Sequence, residues 1–157
     1  MTLERLFDLE LQYRPGIEPV APAEKIDGTP LGSGDGTISG PRLRGSVRWS
    51  SFMKPATDGC QLGFTGFLET DDGARIPFDA IGFALGRDQT RPAIWSVDVA
   101  VQFEPEDERY AWLRPVPVVL DGEFDYDNAH GRYTGYARLH GQTYIPTALS
   151  AVLERER

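Results

Sequence analysis

The sequence is poor in the residues that build disulfides and metal centres. It contains one cysteine, Cys60, and two histidines, His130 and His140, among 157 residues. A single cysteine excludes an intramolecular disulfide, and this set is too small for the four Cys or His ligands of a structural zinc site. We therefore expect a protein without a metal site.

Positive charge and long apolar runs are scarce as well. Sixteen Lys and Arg residues stand against 24 Asp and Glu, which gives a net charge of -8. That balance argues against a nucleic-acid binder and disfavours anionic membranes. No apolar stretch has the length of a transmembrane helix, and residues 1–10 lack the pattern of a secretory signal. We expect a small-molecule partner, no nucleic acid or membrane partner, and a cytoplasmic location.

Chain breakers and short alternating segments are abundant, with 17 Gly and 12 Pro. Residues 6–13 alternate between apolar and polar side chains, which predicts a half-buried strand. The turn sequence Asp71-Asp72-Gly73 predicts a hairpin between strands at 59–70 and 75–85. Residues 94–103 predict a strand with Trp95, Val97, Val99, Val101 and Phe103 on one face. The remaining segments predict a turn followed by a strand over 31–49, an extended segment over 110–120 and a last strand over 131–139.

About eight strands at hairpin spacing, without a long helix, indicate an all-β fold. Parallel strands need helical crossovers, so the sheet is expected to be antiparallel. A sandwich and a closed barrel both satisfy the pattern, and the succession of hairpins favours a closed barrel. We predict one domain over residues 1–157, with 148–157 as a short helix or a fraying tail.

Ionisable residues interrupt the apolar strands at a few positions. Asp79 and Asp98 lie in mid-strand, where a carboxylate inside a barrel is costly unless it is paired or neutralised, and such groups are candidates for acid/base chemistry. The alternative is that each faces water. Arg42 and Arg44 lie two residues apart and therefore share a face, from which they could bind a substrate carboxylate. The alternative is a solvated basic face.

Aromatic residues form the third group of candidates. Tyr133 and Tyr136 lie on opposite faces of the last strand, so one of them is expected to point inward and could donate a proton or a hydrogen bond. Tyr110 and Trp112 share a face and, with Trp95, could form the wall of an aromatic binding site. A packing role explains each of them equally well.

Three motifs in order carry a resemblance to a known family: Gly36-Thr-Ile-Ser-Gly-Pro-Arg-Leu-Arg-Gly45, Thr70-Asp-Asp-Gly73 and Arg109-Tyr-Ala-Trp-Leu113. Together they resemble the bacterial family catalogued as domain of unknown function 3237, over about residues 3–136. The resemblance implies a small lipocalin-like β-barrel that often self-associates. Some relatives are linked to aromatic catabolism as cofactor-independent decarboxylases of lignin-derived phenylcoumaran acids, which implies a lyase here.

The sequence departs from the family pattern at three positions. Arg114 stands where Asn usually follows Tyr-Ala-Trp-Leu, and Asp79 and Asp98 stand where basic residues are frequent. These departures indicate a specialised interior.

Three functions compete. The first is a cofactor-free decarboxylase. Its candidate groups are Arg42 or Arg44 to hold a carboxylate, Asp79 or Asp98 as the general acid/base, and Tyr133 or Tyr136 to position a phenol. An isomerase or a cyclase would use the same groups. The second is a lipocalin-like binding protein, which needs the cavity and the aromatic residues alone. The third is a homo-oligomer with a filled barrel, whose interface is the face from Trp95 to Phe103.

Overall fold

The computed structural model describes residues 3–20, 27–86 and 90–138. Eight strands and one short 3₁₀ helix follow each other along the chain. They are β1 Glu4–Tyr13, β2 Thr29–Ser39, β3 Arg44–Ala56, β4 Gly59–Thr70, β5 Arg75–Leu85, β6 Ile94–Phe103, the 3₁₀ helix Glu108–Leu113, β7 Val118–Asp125 and β8 His130–Ala137. The predicted strands at 59–70, 75–85 and 94–103 are confirmed. His140 and the predicted tail at 148–157 lie outside the described residues.

Each strand pairs antiparallel with the next one in the sequence, and β1 pairs with β8, where Glu4 lies opposite Ala137. The sheet therefore closes into a barrel in the order β1 to β8, which confirms the predicted fold and excludes the sandwich. Closure leaves none of these strands as an unpaired sheet edge. Among the described residues, no helix is long and apolar enough to cross a membrane.

Two local predictions were wrong. The segment 31–49 was expected to be a turn followed by one strand, but it begins within β2, and the turn at 40–43 lies between β2 and β3. Gly34 is opposite Trp49, and a Cβ at Gly34 would lie 2.9 Å from the Trp49 ring, so glycine makes room for the indole there. The segment 110–120 was expected to be extended, but it begins with the 3₁₀ helix. The Asp107 carboxylate caps this helix by accepting the Arg109 N–H at 2.9 Å.

The two ends of the barrel differ. At the closed end lie the turns 40–43 and 71–74 and the connection 104–117, which contains the 3₁₀ helix. At the open end lie the connections 57–58 and 126–129 and the described parts of the segments between β1 and β2 and between β5 and β6. Because the strands alternate in direction, every hairpin turn falls at one end or the other.

Large apolar side chains fill the closed end. Phe7, Leu43 and Leu113 each have 1% or less of their surface exposed. The face of β6 from Val97 to Phe103 also points into the core, so the prediction that this face forms a subunit interface was wrong.

Candidate functional site

The open half of the barrel contains a cavity of about 630 Å³, which we call the chamber. Its wall is apolar or uncharged throughout the described residues, and every strand except β2 contributes a buried or half-buried side chain. The lining residues are Leu11, Tyr13, Leu31, Trp49, Met53, Pro55, Gly59, Cys60, Leu62, Phe64, Ala84, Trp95, Val97, Phe124, Tyr126, Ala129, Gly131 and Tyr133. A cavity of this size and apolarity has the properties of a small-molecule site.

The Tyr13 hydroxyl forms a polar position in the chamber wall, and the buried Ser51 hydroxyl lies behind it. The Tyr13 hydroxyl lies 2.6 Å from the Ser51 hydroxyl, and Ser51 donates a longer hydrogen bond of 3.5 Å to the carbonyl oxygen of Gly32. Burial raises the pKa of Tyr13 to about 12, with the Ser51 hydrogen bond acting in the opposite direction. Tyr13 is therefore a neutral phenol at pH 7, with an oxygen that can accept a further hydrogen bond.

The Tyr133 hydroxyl is a second polar position, and it differs from the first in having no partner. Tyr133 is 6% exposed, and its hydroxyl makes no hydrogen bond to any described residue. Burial also raises the pKa of Tyr133, so this phenol stays protonated. Such a group can both donate and accept a hydrogen bond.

Two glycines determine where the Tyr133 ring lies. A Cβ at Gly131 would lie 2.3 Å from the Tyr133 hydroxyl oxygen, and a Cβ at Gly122 would lie 2.7 Å from the ring. Gly131 precedes Tyr133 by two residues in β8, on the side of the open end, and Gly122 is opposite Tyr133 in β7. The ring therefore extends along its strand toward the open end, which brings the hydroxyl to the chamber.

Cys60 and Trp49 complete the wall around Tyr13. Burial raises the pKa of the half-buried Cys60 thiol, so the thiol is neutral at pH 7. The Trp49 ring is perpendicular to the Tyr13 ring with 4.4 Å between centroids, and its indole Nε1 is buried without a partner among the described residues. This packing fixes the position of the Tyr13 phenol.

The predicted arginines lie outside the barrel. The Arg42 guanidinium stacks on the Trp112 ring at 3.7 Å, and Arg44 donates a hydrogen bond of 3.2 Å to the Ser39 hydroxyl. Their expected interior placement was wrong: Arg42 belongs to the turn before β3, and the inward residues of β3 are the alternate ones from Val47 onward. Neither arginine reaches a ligand in the chamber.

The predicted carboxylates also lie outside. Asp98 is exposed because its neighbours Val97 and Val99 occupy the inward positions of β6. It is directly opposite Asp121 in β7, and burial together with Asp98 raises the pKa of Asp121. The interior placement of Asp98 was therefore wrong.

Asp79 is half-buried on the outer side of β5 and accepts a hydrogen bond of 3.1 Å from the Thr65 hydroxyl. It borders an outer groove of about 540 Å³, whose opposite wall is formed by residues 114–117. This groove is separated from the chamber by the sheet, so the interior placement of Asp79 was wrong as well.

The predicted aromatic residues are divided between the two ends. Trp95 and Tyr133 line the chamber, whereas Tyr136 is half-buried on the outer face of β8. Tyr110 and Trp112 belong to the 3₁₀ helix at the closed end, so the expectation that they form a wall of the binding site was wrong. Their place is fixed by the helix, which the sequence analysis did not predict.

The sequence analysis missed Tyr13, Ser51 and Cys60 as parts of one site. Tyr13 falls on the apolar side of the alternation over residues 6–13, and Ser51 shares a strand face with Trp49 and Met53 in β3. The period of two was therefore a usable signal for their orientation. Their proximity depends on the pairing register, which the periodicity of single strands does not contain.

In the described part of the chain, no group of three or more His, Cys, Asp or Glu side chains is placed to hold a metal ion. His130 lies 4.0 Å from Glu10 beside the open end.

No protein-family model and no curated protein matches the sequence. Solved structures do match the fold. A β-barrel-like protein from Acinetobacter baumannii AYE is 19% identical, with 87% of this chain and 94% of that chain covered and a TM-score of 0.67. A conserved protein of unknown function from Rhodopseudomonas palustris is 15% identical, with coverage of 87% and 95% and a TM-score of 0.65.

A third similar structure is described as an enzyme from Penicillium herquei. It is 20% identical, with 86% of this chain and 93% of that chain covered and a TM-score of 0.55. Identities of this size establish a shared fold alone, and the fold does not specify a reaction. The class defined by fold and site is a closed eight-stranded β-barrel with an apolar chamber at one end.

Proposed function

We propose that the protein binds a small aromatic molecule in the chamber, as a lipocalin-like binding protein does. The observation that carries this proposal is the cavity of about 630 Å³ with an uncharged, aromatic-rich wall. Transfer of apolar surface from water into such a cavity yields about 25 cal/mol per Å². The hydroxyl groups of Tyr13 and Tyr133, which both line the chamber, orient the bound molecule.

Cys60 provides a test of this proposal, because it is the one cysteine of the chain and it lines the chamber. The neutral dye N-phenyl-1-naphthylamine, which fluoresces in apolar surroundings, serves as the probe. We expect the dye to bind the wild-type protein and to slow the alkylation of Cys60 by a maleimide. Prior alkylation with a bulky maleimide should in turn abolish dye binding, because the adduct occupies the chamber.

The Cys60→Ser variant is the matched control. It should bind the dye, and treatment with maleimide should not change that binding. If the dye fails to bind, or if it binds equally well to the alkylated wild-type protein, the chamber is not the binding site and the proposal is wrong.

A second candidate function is cofactor-free proton transfer, favoured by the Tyr13–Ser51 hydroxyl pair at 2.6 Å. We propose that Tyr13 donates its proton to the carbonyl oxygen of a substrate while a water molecule takes a proton from the adjacent carbon, which gives an enol. The hydronium ion then returns a proton to the Tyr13 phenolate. An isomerase or a cyclase uses this chemistry on an uncharged substrate. The Penicillium herquei barrel, which is described as an enzyme, supports this possibility by fold alone.

The second candidate is tested with 2-tetralone, an uncharged aromatic ketone whose protons next to the carbonyl group exchange in D₂O. We expect the protein to accelerate this exchange, and we expect Tyr13→Phe to remove about 100-fold of the acceleration, the range typical of a lost acid/base group. Proton NMR follows the exchange. Tyr136→Phe, on the outer face of β8, should retain the wild-type rate. An equal loss in both variants would contradict a catalytic role of Tyr13.

Decarboxylation of a phenylcoumaran-type acid stays a prediction of the family resemblance, as do membership of that family and self-association. The arginines assigned to the carboxylate lie outside the barrel, so this reaction would have to proceed in an uncharged chamber. Release of carbon dioxide from such an acid would support it directly.

A further inference from the structure

The chamber contains a hydroxyl group that makes no hydrogen bond to another described residue. The Tyr133 hydroxyl has no partner among the described residues, although Tyr133 is 6% exposed. A ligand that fills the chamber displaces water from this hydroxyl, and a polar group left without water or another partner loses free energy. A bound molecule that places an oxygen beside Tyr133 recovers that loss, whereas a pure hydrocarbon does not.

Among the described residues, the chamber wall has no charged group that compensates a charged ligand. Among the described residues its ionisable groups are phenols and one thiol, and burial raises the pKa of Tyr13, Tyr133 and Cys60. All of them are therefore neutral at pH 7. Transfer of an ionised group into such surroundings without a partner is strongly unfavourable.

Two of the described cations near the open end are paired with carboxylates. Lys54 pairs with Asp27 at 2.8 Å, and Arg14 pairs with Asp35 at 2.6 Å. The net charge of -8 adds a general repulsion of anions. These two pairs therefore offer no unpaired positive charge to an anionic ligand that enters the chamber.

The volume limits the ligand to a few rings. A cavity of about 150 Å³ holds one benzene molecule, and the chamber measures about 630 Å³. Two or three fused or linked aromatic rings therefore fit with their substituents.

We infer that the chamber selects an uncharged aromatic molecule of two or three rings with a hydroxyl or carbonyl oxygen, and that this oxygen pairs with the Tyr133 hydroxyl. The inference deepens the proposed binding function and rests on it. Neutral phenols and aryl ketones belong to the selected class, and arene carboxylates do not.

Three naphthalenes that differ in one substituent test the inference: naphthalene, 2-naphthol and 2-naphthoate. Each competes with N-phenyl-1-naphthylamine for the wild-type protein at pH 7. We expect 2-naphthol to displace the dye at a concentration lower by about tenfold or more than 2-naphthoate, because only the carboxylate carries an uncompensated charge. Tyr133→Phe should weaken 2-naphthol about 3- to 10-fold, as expected for one hydrogen bond, and should leave naphthalene within about twofold.

Tyr136→Phe is the matched control, since Tyr136 belongs to the same strand and points outward. It should leave all three affinities unchanged. Circular dichroism of Tyr133→Phe verifies its fold.

The outcomes separate the two proposals. Binding of the dye with equal competition by 2-naphthol and 2-naphthoate overturns the selection of uncharged ligands, and an equal effect of Tyr133→Phe on naphthalene and 2-naphthol overturns the role of Tyr133. In both cases the binding function survives. Failure of the dye and of all three naphthalenes to bind refutes the binding function itself.

Discussion

The Tyr13 phenol shows how burial controls the protonation of a single group in the chamber. Its apolar surroundings raise its pKa from 10.0 to about 12. An unfolded chain releases this proton near pH 10, whereas the folded protein keeps it. The folded state therefore binds more protons than the unfolded state in this window, so stability is fully present below pH 10 and is lost as the pH rises toward 12.

We expect this phenol to make the protein sensitive to alkali. Between pH 9 and pH 11 the free energy of unfolding of the wild type should fall about 1 kcal/mol further than that of Tyr13→Phe. Urea unfolding at a series of pH values measures the difference. The control is Tyr126→Phe, because Tyr126 is 70% exposed. Its free energy of unfolding should follow the wild-type dependence on pH. Parallel curves for wild type and Tyr13→Phe would show that the phenol is not perturbed.

Side-chain orientation at single positions was predictable where the period of two is regular. The valines of β6 assigned Asp98 to the face opposite theirs, and the structure confirms that this face is outside. The period of two therefore indicated the orientation of Asp98 correctly, whereas its mid-strand position did not show that the carboxylate lies inside. The inward position of Tyr133 depends on Gly131 and on Gly122 in the neighbouring strand, and that combination requires the strand register.

The 3₁₀ helix joins the three motifs of the family resemblance at the closed end. The Tyr110 hydroxyl donates to the Asp72 carboxylate at 2.7 Å, and the Thr70 hydroxyl donates to the same oxygen at 2.6 Å. Arg42 stacks on Trp112 from the turn before β3. The motifs are therefore explained by contacts that close the barrel, and none of these contacts reaches the chamber.

Loss of one of these contacts should lower stability without changing binding. We expect Tyr110→Phe to lower the free energy of unfolding by about 1 kcal/mol, the net contribution of one hydrogen bond. The affinity for N-phenyl-1-naphthylamine should remain that of the wild type. Chemical denaturation and dye titration on the same sample measure both quantities. A loss of dye affinity in the folded variant would show that the closed end and the chamber are coupled.

The strands were more predictable than the helix because their signals extend over more residues. Asp71-Asp72-Gly73 marked its hairpin correctly, and Gly73 adopts a positive φ of 90°. The 3₁₀ helix has six residues and its cap is a single side chain, Asp107, so its signal is short. Of the extended segment predicted over 110–120, only the part from Val118 onward belongs to a strand, β7.

At the scale of the whole molecule, the number of strands and their sequential order followed from the hairpin signals. The closure of β1 on β8 favoured by these signals is confirmed. The chamber was not predictable in detail, because its volume depends on which inward side chains are large at each level of the barrel. Phe7, Leu43 and Leu113 fill the closed end, whereas Gly59, Ala84 and Gly131 leave space at the open end.

The closed end and the chamber lie at opposite ends of the barrel, so their residues can change independently during evolution. Mutations around Leu31, Met53 and Tyr126 could replace one cargo by another while the motifs at the opposite end continued to specify the same barrel. Two proteins that share these motifs would then share an ancestor and an architecture, yet carry different molecules. In such a lineage the motifs indicate common descent, and the side chains around the open end indicate which ligand each protein binds.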